Sequence, residues 1–363
     1  MSILIFFVVL FVLILVHELG HFIVAKKTGM RVDEFGIGFP PKLFGITRGE
    51  TEYSLNALPI GGFVRIFGED GTNETSGQSE GRAFSHKSKW AQAAVLIAGV
   101  TMNVIFAWVL LVAVLMMGVP TAVDEATASN ESKLIITEVL TESPADTAKI
   151  PAGAEIVSLH SDGETVESLT PSAFTAFTTE HADDEMTLTY RAGGEEIAVQ
   201  LSPETGIISS NESQPAIGVA LSLVDTVRYP IHTAIYEATV VTVTALGAIT
   251  VGITNLLVDA FTLDADLSQV AGPVGIVGLV GDAAEFGFAS LLMFTAIISL
   301  NLAVINMLPF PALDGGRLLF VAYEAITRRQ INPVWAGRAN MVGFALLILL
   351  MVAVTYNDIL RIL

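Results

Sequence analysis

From Ala91 to Gly118 the chain carries no charged side chain. That run is longer than the roughly 20 apolar residues an α-helix needs to cross a hydrocarbon core about 30 Å thick. It restricts the fold to one that hides every backbone amide in a helix or a closed barrel. Three more stretches read the same way: Ile3 to Ala25, Phe286 to about Leu313, and the residues between Arg338 and Asp358. A fifth apolar run, Ala238 to Val258, is set aside for the moment. Only 15% of the chain is charged, against about 25% in ordinary soluble domains. The first run has no basic n-region, and no small-residue cleavage site follows it, so the sequence predicts a retained helix rather than a secretory signal. The fold class expected is a polytopic α-helical membrane protein with four transmembrane helices.

Charge asymmetry gives those four helices a direction. Segment 26–90 holds Lys26, Lys27, Arg31, Lys42, Arg48, Arg65, Arg82, Lys87 and Lys89, and segment 314–340 holds Arg317, Arg328, Arg329 and Arg338. The much longer segment 119–285 holds only Lys133, Lys149, Arg191 and Arg228. Basic residues in short loops stay in the cytoplasm, so 119–285 is expected outside, in a multi-pass protein of the cell inner (plasma) membrane. With a net charge of −19, nucleic acid is not an expected partner, because phosphate binding needs clustered Lys and Arg. The lipid bilayer is. The absence of cysteine excludes thiol nucleophiles, Cys-ligated zinc and iron–sulfur clusters.

Residues 132 to about 205 read as β-rich. Strand-like runs at Leu134–Leu140, Glu155–His160, Met186–Tyr190 and Glu196–Leu201 are separated by turn signals such as Ser161-Asp162-Gly163 and Ala192-Gly193-Gly194. The stretch Ser143-Pro144-Ala145, followed by Ala148 to Val157, resembles part of the PDZ domains of bacterial membrane proteases, although Ala154-Glu155 replaces the usual Asp. That resemblance implies that a peptide C-terminus adds as a strand.

The chemistry lies in His17-Glu18-Leu19-Gly20-His21. Residues four apart on a helix are about 40° apart around the axis and about 6 Å apart along it. Two imidazoles so placed can share one zinc ion, and Glu18 beside them can take a proton from an activated water. Ionisable groups inside an apolar span are expensive and are usually functional. A catalytic zinc needs a third protein ligand and an open position. His86 lies in the basic loop, and His160, His181 and His232 lie on the far side. A carboxylate on the cytoplasmic side of another span fits, and Asp314 stands there, after Asn306-Met307-Leu308-Pro309-Phe310-Pro311-Ala312-Leu313. The two prolines break the helix, and non-helical backbone at membrane depth is tolerated where it lines a site.

HELGH in the first span and NMLPFPALDGG after the third make the chain resemble the site-2 protease family of the RseP type, the M50 zinc intramembrane metalloproteases with a PDZ domain. The resemblance implies Zn2+ held by His17, His21 and Asp314, with Glu18 as general base. It implies a substrate cleft shaped by Asn301, Asn306, Pro309 and Pro311, where Asn306 would hold an extended backbone or stabilise the oxyanion. Asn56 to Arg65 resembles the family's membrane-associated β-hairpin, so Gly61 and Gly62 are expected beside the substrate. Gly99-Val100-Thr101-Met102-Asn103 resembles its GxxxN element, which lets two helices approach closely. Gly272-Pro273-Val274-Gly275-Ile276 matches the family as well, without a role readable from its residues. The zinc site also constrains the fifth apolar run. If 238–258 crossed the membrane, Asp314 would emerge opposite His17 and His21, so that run is expected to be interfacial or re-entrant.

The domain organisation expected is 1–118 with the zinc motif and hairpin, 119–210 as the extracytoplasmic PDZ-like domain, 211–285 as an amphipathic or re-entrant linker, and 286–363 with the third ligand. The activity expected is zinc-dependent hydrolysis of peptide bonds within transmembrane protein substrates already shortened outside, either anti-sigma factors or remnant signal peptides. The alternative is a catalytically inactive membrane PDZ scaffold.

Overall fold

The computed structural model of the chain describes residues 1–69, 80–129, 131–207, 213–262 and 271–362. In chain order the main elements are α1 (Ser2–Lys27), β1 (Val32–Arg48), β2 (Thr51–Ile66), α2 (Lys89–Met117), β3 (Val119–Val123), β4 (Lys133–Val139), α3 (Pro144–Thr147), β5 (Glu155–Ser161), β6 (Glu164–Thr165), α4 (Pro171–Glu180), β7 (Met186–Ala192), β8 (Glu195–Leu201), β9 (Val219–Val227), α5 (Ile231–Thr262), α6 (Pro273–Glu285), α7 (Phe288–Met307), α8 (Asp314–Thr327) and α9 (Pro333–Ile362). They form two compact units, one of Met1–Met116 with Pro230–Leu363 and the other of Met117–Tyr229.

The first unit is helical. Among the described residues, five helices are long and apolar enough to cross a membrane: α1, α2, α5, α7 and α9. This is one more than the four spans counted from sequence, because the apolar run 238–258 sits inside the 32-residue α5. Each boundary has a local cause. At the end of α1 the Thr28 hydroxyl donates to the Val24 carbonyl, Gly29 turns the chain at φ 72°, and Lys26 and Lys27 complement the helix dipole. α7 ends at Met307 with Leu308 extended, because Pro309 disfavours helical backbone at the residue before it.

β1 and β2 pair with each other and both bend. Residues 34–37 are flanked by 62–65 on one side and by 52–55 on the other, while 42–48 pair with 51–56. Phe39, Leu43, Phe44 and Ile46 are exposed on this sheet. Its other end is anchored. Glu50, in the turn between the strands, accepts from Lys26 Nζ at 2.7 Å and from both terminal nitrogens of Arg82 at 2.6 and 2.7 Å.

The second unit is a sheet of order β3-β9-β4-β5-β7-β8, with β6 beside β5. Alternation of inward Leu134, Ile136, Ile156, Leu159, Met186, Leu188 and Tyr190 builds its core, against which Phe174 and Phe177 of α4 pack. Asp162 and Gly163 both have positive φ, the requirement of the tight hairpin turn that the Asp-Gly pair announces. One boundary moves. The expected end of this domain at 210 falls short, because β9 lies between β3 and β4. The expected linker therefore starts after this strand rather than before it, and part of it falls outside the described residues.

Candidate metal centre

His17 and His21 are one turn apart on α1 and both are buried, at 7% and 8% exposure. Their Nε2 atoms lie 3.2 Å apart. Asp314 Oδ2 is 3.1 Å from His17 Nε2 and 3.3 Å from His21 Nε2. Asp314 is the first residue of α8, and the N-terminus of that helix has no side-chain cap. The carboxylate is therefore aimed at the imidazoles rather than at its own amides. Asp314 Oδ2 is buried and, despite these short approaches, makes no hydrogen bond of acceptable geometry. The three atoms converge on a shared point more than they bond one another. A zinc ion with ligand bonds of 2.0–2.1 Å requires ligand atoms about 3.3 Å apart at the edges of its tetrahedron. The edges here, 3.1, 3.2 and 3.3 Å, fit that requirement. Among the described residues this trio is the group of ligand-type side chains close enough to hold an ion.

Glycine makes the convergence sterically feasible. A Cβ on Gly99 of α2 would press on His21 Nε2 and lie 2.8 Å from His17 Cε1. A Cβ on Gly20 would meet the Ala98 carbonyl carbon at 2.8 Å. The two helices therefore touch backbone to backbone behind the ligands, as small residues allow. Gly315 and Gly316 do the same for α8, seated against the carbonyls of Met307, Leu308 and Phe310. The loop they press on is held from α9, where Asn340 Oδ1 accepts from the Ala312 amide at 3.3 Å.

Glu18 is half-buried beside the histidines. Gly62 packs next to it, since an added Cβ there would be 3.8 Å from Glu18 Cγ. The β2 segment through Gly61 and Gly62 thus passes the expected general base. The other expected cleft residues are more dispersed. Asn301 spends its amide N–H on the Ile297 carbonyl. Pro309 is exposed, Asn306 and Pro311 are half-buried, and the Pro311 carbonyl abuts Gly343 of α9. Among the described residues no hydrogen bond ties these four to the histidines or to Asp314.

Two sets of contacts in the arrangement are not readable from the sequence, although Asn103 and the Gly272–Ile276 stretch stand out in it. α2 supplies partners to both histidines: the Val95 carbonyl lies 2.8 Å from His21 Nδ1, and Asn103 Nδ2 lies 3.2 Å from His17 Nδ1. Asp358, buried near the end of α9, accepts from the amides of Gly272 at 3.0 Å and Gly275 at 2.8 Å. This gives the Gly272–Ile276 stretch a role: it opens α6 under a carboxylate that has no room for a side chain at residue 272. The available signal was polarity, since Asn103 and Asp358 each stand in or at the end of an apolar run.

The model of Peptidase family M50 matches residues 5–350. A candidate zinc metalloprotease of Clostridium acetobutylicum is 34% identical over 348 residues, covering 96% of this chain and 94% of that protein. The Zinc metalloprotease RasP of Geobacillus kaustophilus is 30% identical over 433 residues, covering 99% and 97%. The Regulator of sigma-W protease RasP of Bacillus subtilis is 29% identical over 433 residues, covering 98% and 97%. With its histidine pair and its aspartate brought to one point and a family match over nearly all its length, the chain belongs to peptidase family M50.

Proposed function

We propose that this chain is a zinc endopeptidase that hydrolyses peptide bonds within membrane-spanning segments. The convergence of His17, His21 and Asp314 inside a bundle of apolar helices carries this reading. Zinc, when bound, supplies Lewis-acid polarisation and activates water near neutral pH. His17 and His21 from α1 and Asp314 from α8 would hold it. Glu18 takes the proton from the attacking water and delivers it to the leaving amine. A helical substrate hides its amides in i→i−4 bonds, so it has to unwind. The β2 segment at Gly61 and Gly62, beside Glu18, is where an extended chain would lie. Asn306, whose side chain makes no hydrogen bond among the described residues, is available to such a chain.

Four of the long helices cross and α5 does not. His17 opposes Asn103 while His21 opposes Val95, so α1 and α2 are antiparallel. α6 rests on the start of α1, where Gly281 meets Ser2, and on the end of α9, at Asp358. If α5 crossed as well, α7 would run the other way and bring Asp314 out opposite His17 and His21, whereas the three side chains stand together. The active centre then lies near the cytoplasmic side of the plasma membrane.

The second unit acts as a PDZ-like gate. β3 pairs with β9 only from Leu223 to Val227, which leaves Val219–Ser222 with one open edge among the described residues. Beside that edge lies a groove lined by Phe174 and Thr178 of α4 and by Ile217. A peptide C-terminus would add there as a strand. Substrates are single-span proteins already shortened outside, such as an anti-sigma factor or a remnant signal peptide. The experiment is cleavage of a transmembrane peptide by purified protein, wild type against Glu18→Gln. Loss of cleavage with zinc retained is expected. Equal cleavage by both would remove the protease reading and leave a membrane scaffold.

A further inference from the structure

Asn103 is enclosed completely, at 0% exposure, in the middle of a helix with no charged residue after Lys89. Its amide has two unlike ends. Nδ2 lies 3.2 Å from His17 Nδ1. Oδ1 is buried and has no hydrogen-bond partner. The two ends exchange places by a half-turn that leaves the heavy-atom positions unchanged.

The proton on His17 decides which end belongs there. An imidazole nitrogen that gives its lone pair to a metal carries no proton, so a neutral His17 ligating through Nε2 holds its proton on Nδ1. That N–H needs an acceptor. Nδ2 of an amide cannot accept, and Oδ1 can. The same arrangement already exists one turn away, where His21 Nδ1–H donates to the Val95 carbonyl at 2.8 Å. Both partners sit on α2, eight residues apart, and both leave Nε2 facing Asp314. The Asn103 backbone is itself held from α7, where Ser299 Oγ donates to its main-chain carbonyl at 2.9 Å.

We propose that Asn103 is a positioning residue of the metal centre. Its Oδ1 accepts from His17 Nδ1–H and so fixes the tautomer that frees Nε2 for zinc. This role rests on His17 being a ligand. With the metal absent, the half-turned amide donates to Nδ1 instead, which suits a His17 protonated on Nε2 and facing Asp314. A residue that only packs α1 against α2 would need neither property.

The test is zinc affinity of the solubilised full chain, read by competition with a chromophoric chelator, for wild type, Asn103→Ala and Asn103→Asp. The melting temperature of the zinc-free forms is recorded alongside. Loss of a group that orients a ligand weakens metal binding about 10- to 100-fold, and Asn103→Ala is expected in that range. Asn103→Asp has nearly the same volume and keeps an acceptor, so it is expected to bind zinc within about threefold of wild type or more tightly. Asn103→Ala binding zinc like wild type, or Asn103→Asp losing as much as Asn103→Ala, would overturn the proposal. A wild-type chain that binds no zinc overturns the metal centre itself, a failure visible before any Asn103 variant is measured.

Discussion

Gly99→Ala tests whether backbone contact between α1 and α2 is what sets the metal centre. The added Cβ would lie 2.8 Å from His17 Cε1, whereas ordinary contact begins at 3.4 Å, and it would press harder still on His21 Nε2. His17 therefore has to retreat by about 0.6 Å, and His21 by more. Metal–ligand distances tolerate only about 0.2 Å. Relief by separating the helices costs about 1–3 kcal/mol, the usual penalty for overpacking. It also shifts both histidines relative to Asp314 Oδ2, which lies 3.1 and 3.3 Å from their Nε2 atoms. Zinc affinity is expected to fall at least tenfold, and cleavage about a hundredfold, as for a misplacement near 1 Å. The assay pairs metal analysis of purified protein with cleavage of a transmembrane peptide. Gly247→Ala is the control, since a Cβ there meets nothing within 4 Å, and it should behave as wild type. A folded Gly99→Ala protein with one zinc and normal cleavage would refute this account of the helix contact.

Gly316→Ala drives a Cβ into the Phe310 carbonyl and moves the helix that begins with Asp314, so zinc content should fall with little change in helix content by circular dichroism. Asp358→Ala strips the partner from the Gly272 and Gly275 amides, a loss of about 1–3 kcal/mol for each buried group left unpaired; hydrogen exchange at 272–276 should quicken, and unchanged protection would show that the carboxylate does not hold α6. Glu50 is held down from 4.5 to about 2, chiefly by Arg82 and then by Lys26. A depressed carboxyl stabilises above its unfolded pKa and loses that contribution as pH falls from about 4.5 towards 2. The group is a third exposed, so screening keeps the effect near 1 kcal/mol or below. Limited proteolysis of the β1–β2 sheet should show Glu50→Gln mildly weakened at neutral pH and level with wild type in 1 M salt. Excising 117–229 with a short linker should admit substrates still bearing outer domains, and unchanged substrate selection would refute the gate.

Much of the centre is readable in the chain. His17 and His21 announce themselves because helix geometry alone puts residues four apart on one face. Asp314 is less direct: the other histidines do not suit, a carboxylate on the cytoplasmic side of another span fits, and the resemblance to the site-2 proteases points to the one that follows the two prolines. What periodicity does not reveal is contact between distant segments. Val95 acts through a backbone carbonyl, which no side chain advertises. Gly99 is visible as a glycine, but the histidine atoms it makes room for are not. The β-rich unit shows the same limit. Its strands are legible by alternation, yet β9 joins β4 across 80 residues at the nearest pair, Val139 with Val219, and β3 across 100 or more, from Val123 with Leu223. Pairing at that separation is fixed by the finished sheet, and the domain boundary was drawn short as a result.

Asp358 also determines how force travels. The first turn of α6 is hydrogen-bonded to α9 through that carboxylate, and its last turns bear on Ser2, at the start of the helix that carries both histidines. α7, which begins three residues after α6 ends, leads to Asp314. A tug on the chain entering α6 is therefore shared between two levers, α1 and α7, whose far ends meet at the ligand triangle. The three ligand atoms already stand at the spacing an ion requires, and metal–ligand distances tolerate only about 0.2 Å, so a small rotation at the remote end is enough to change their grip.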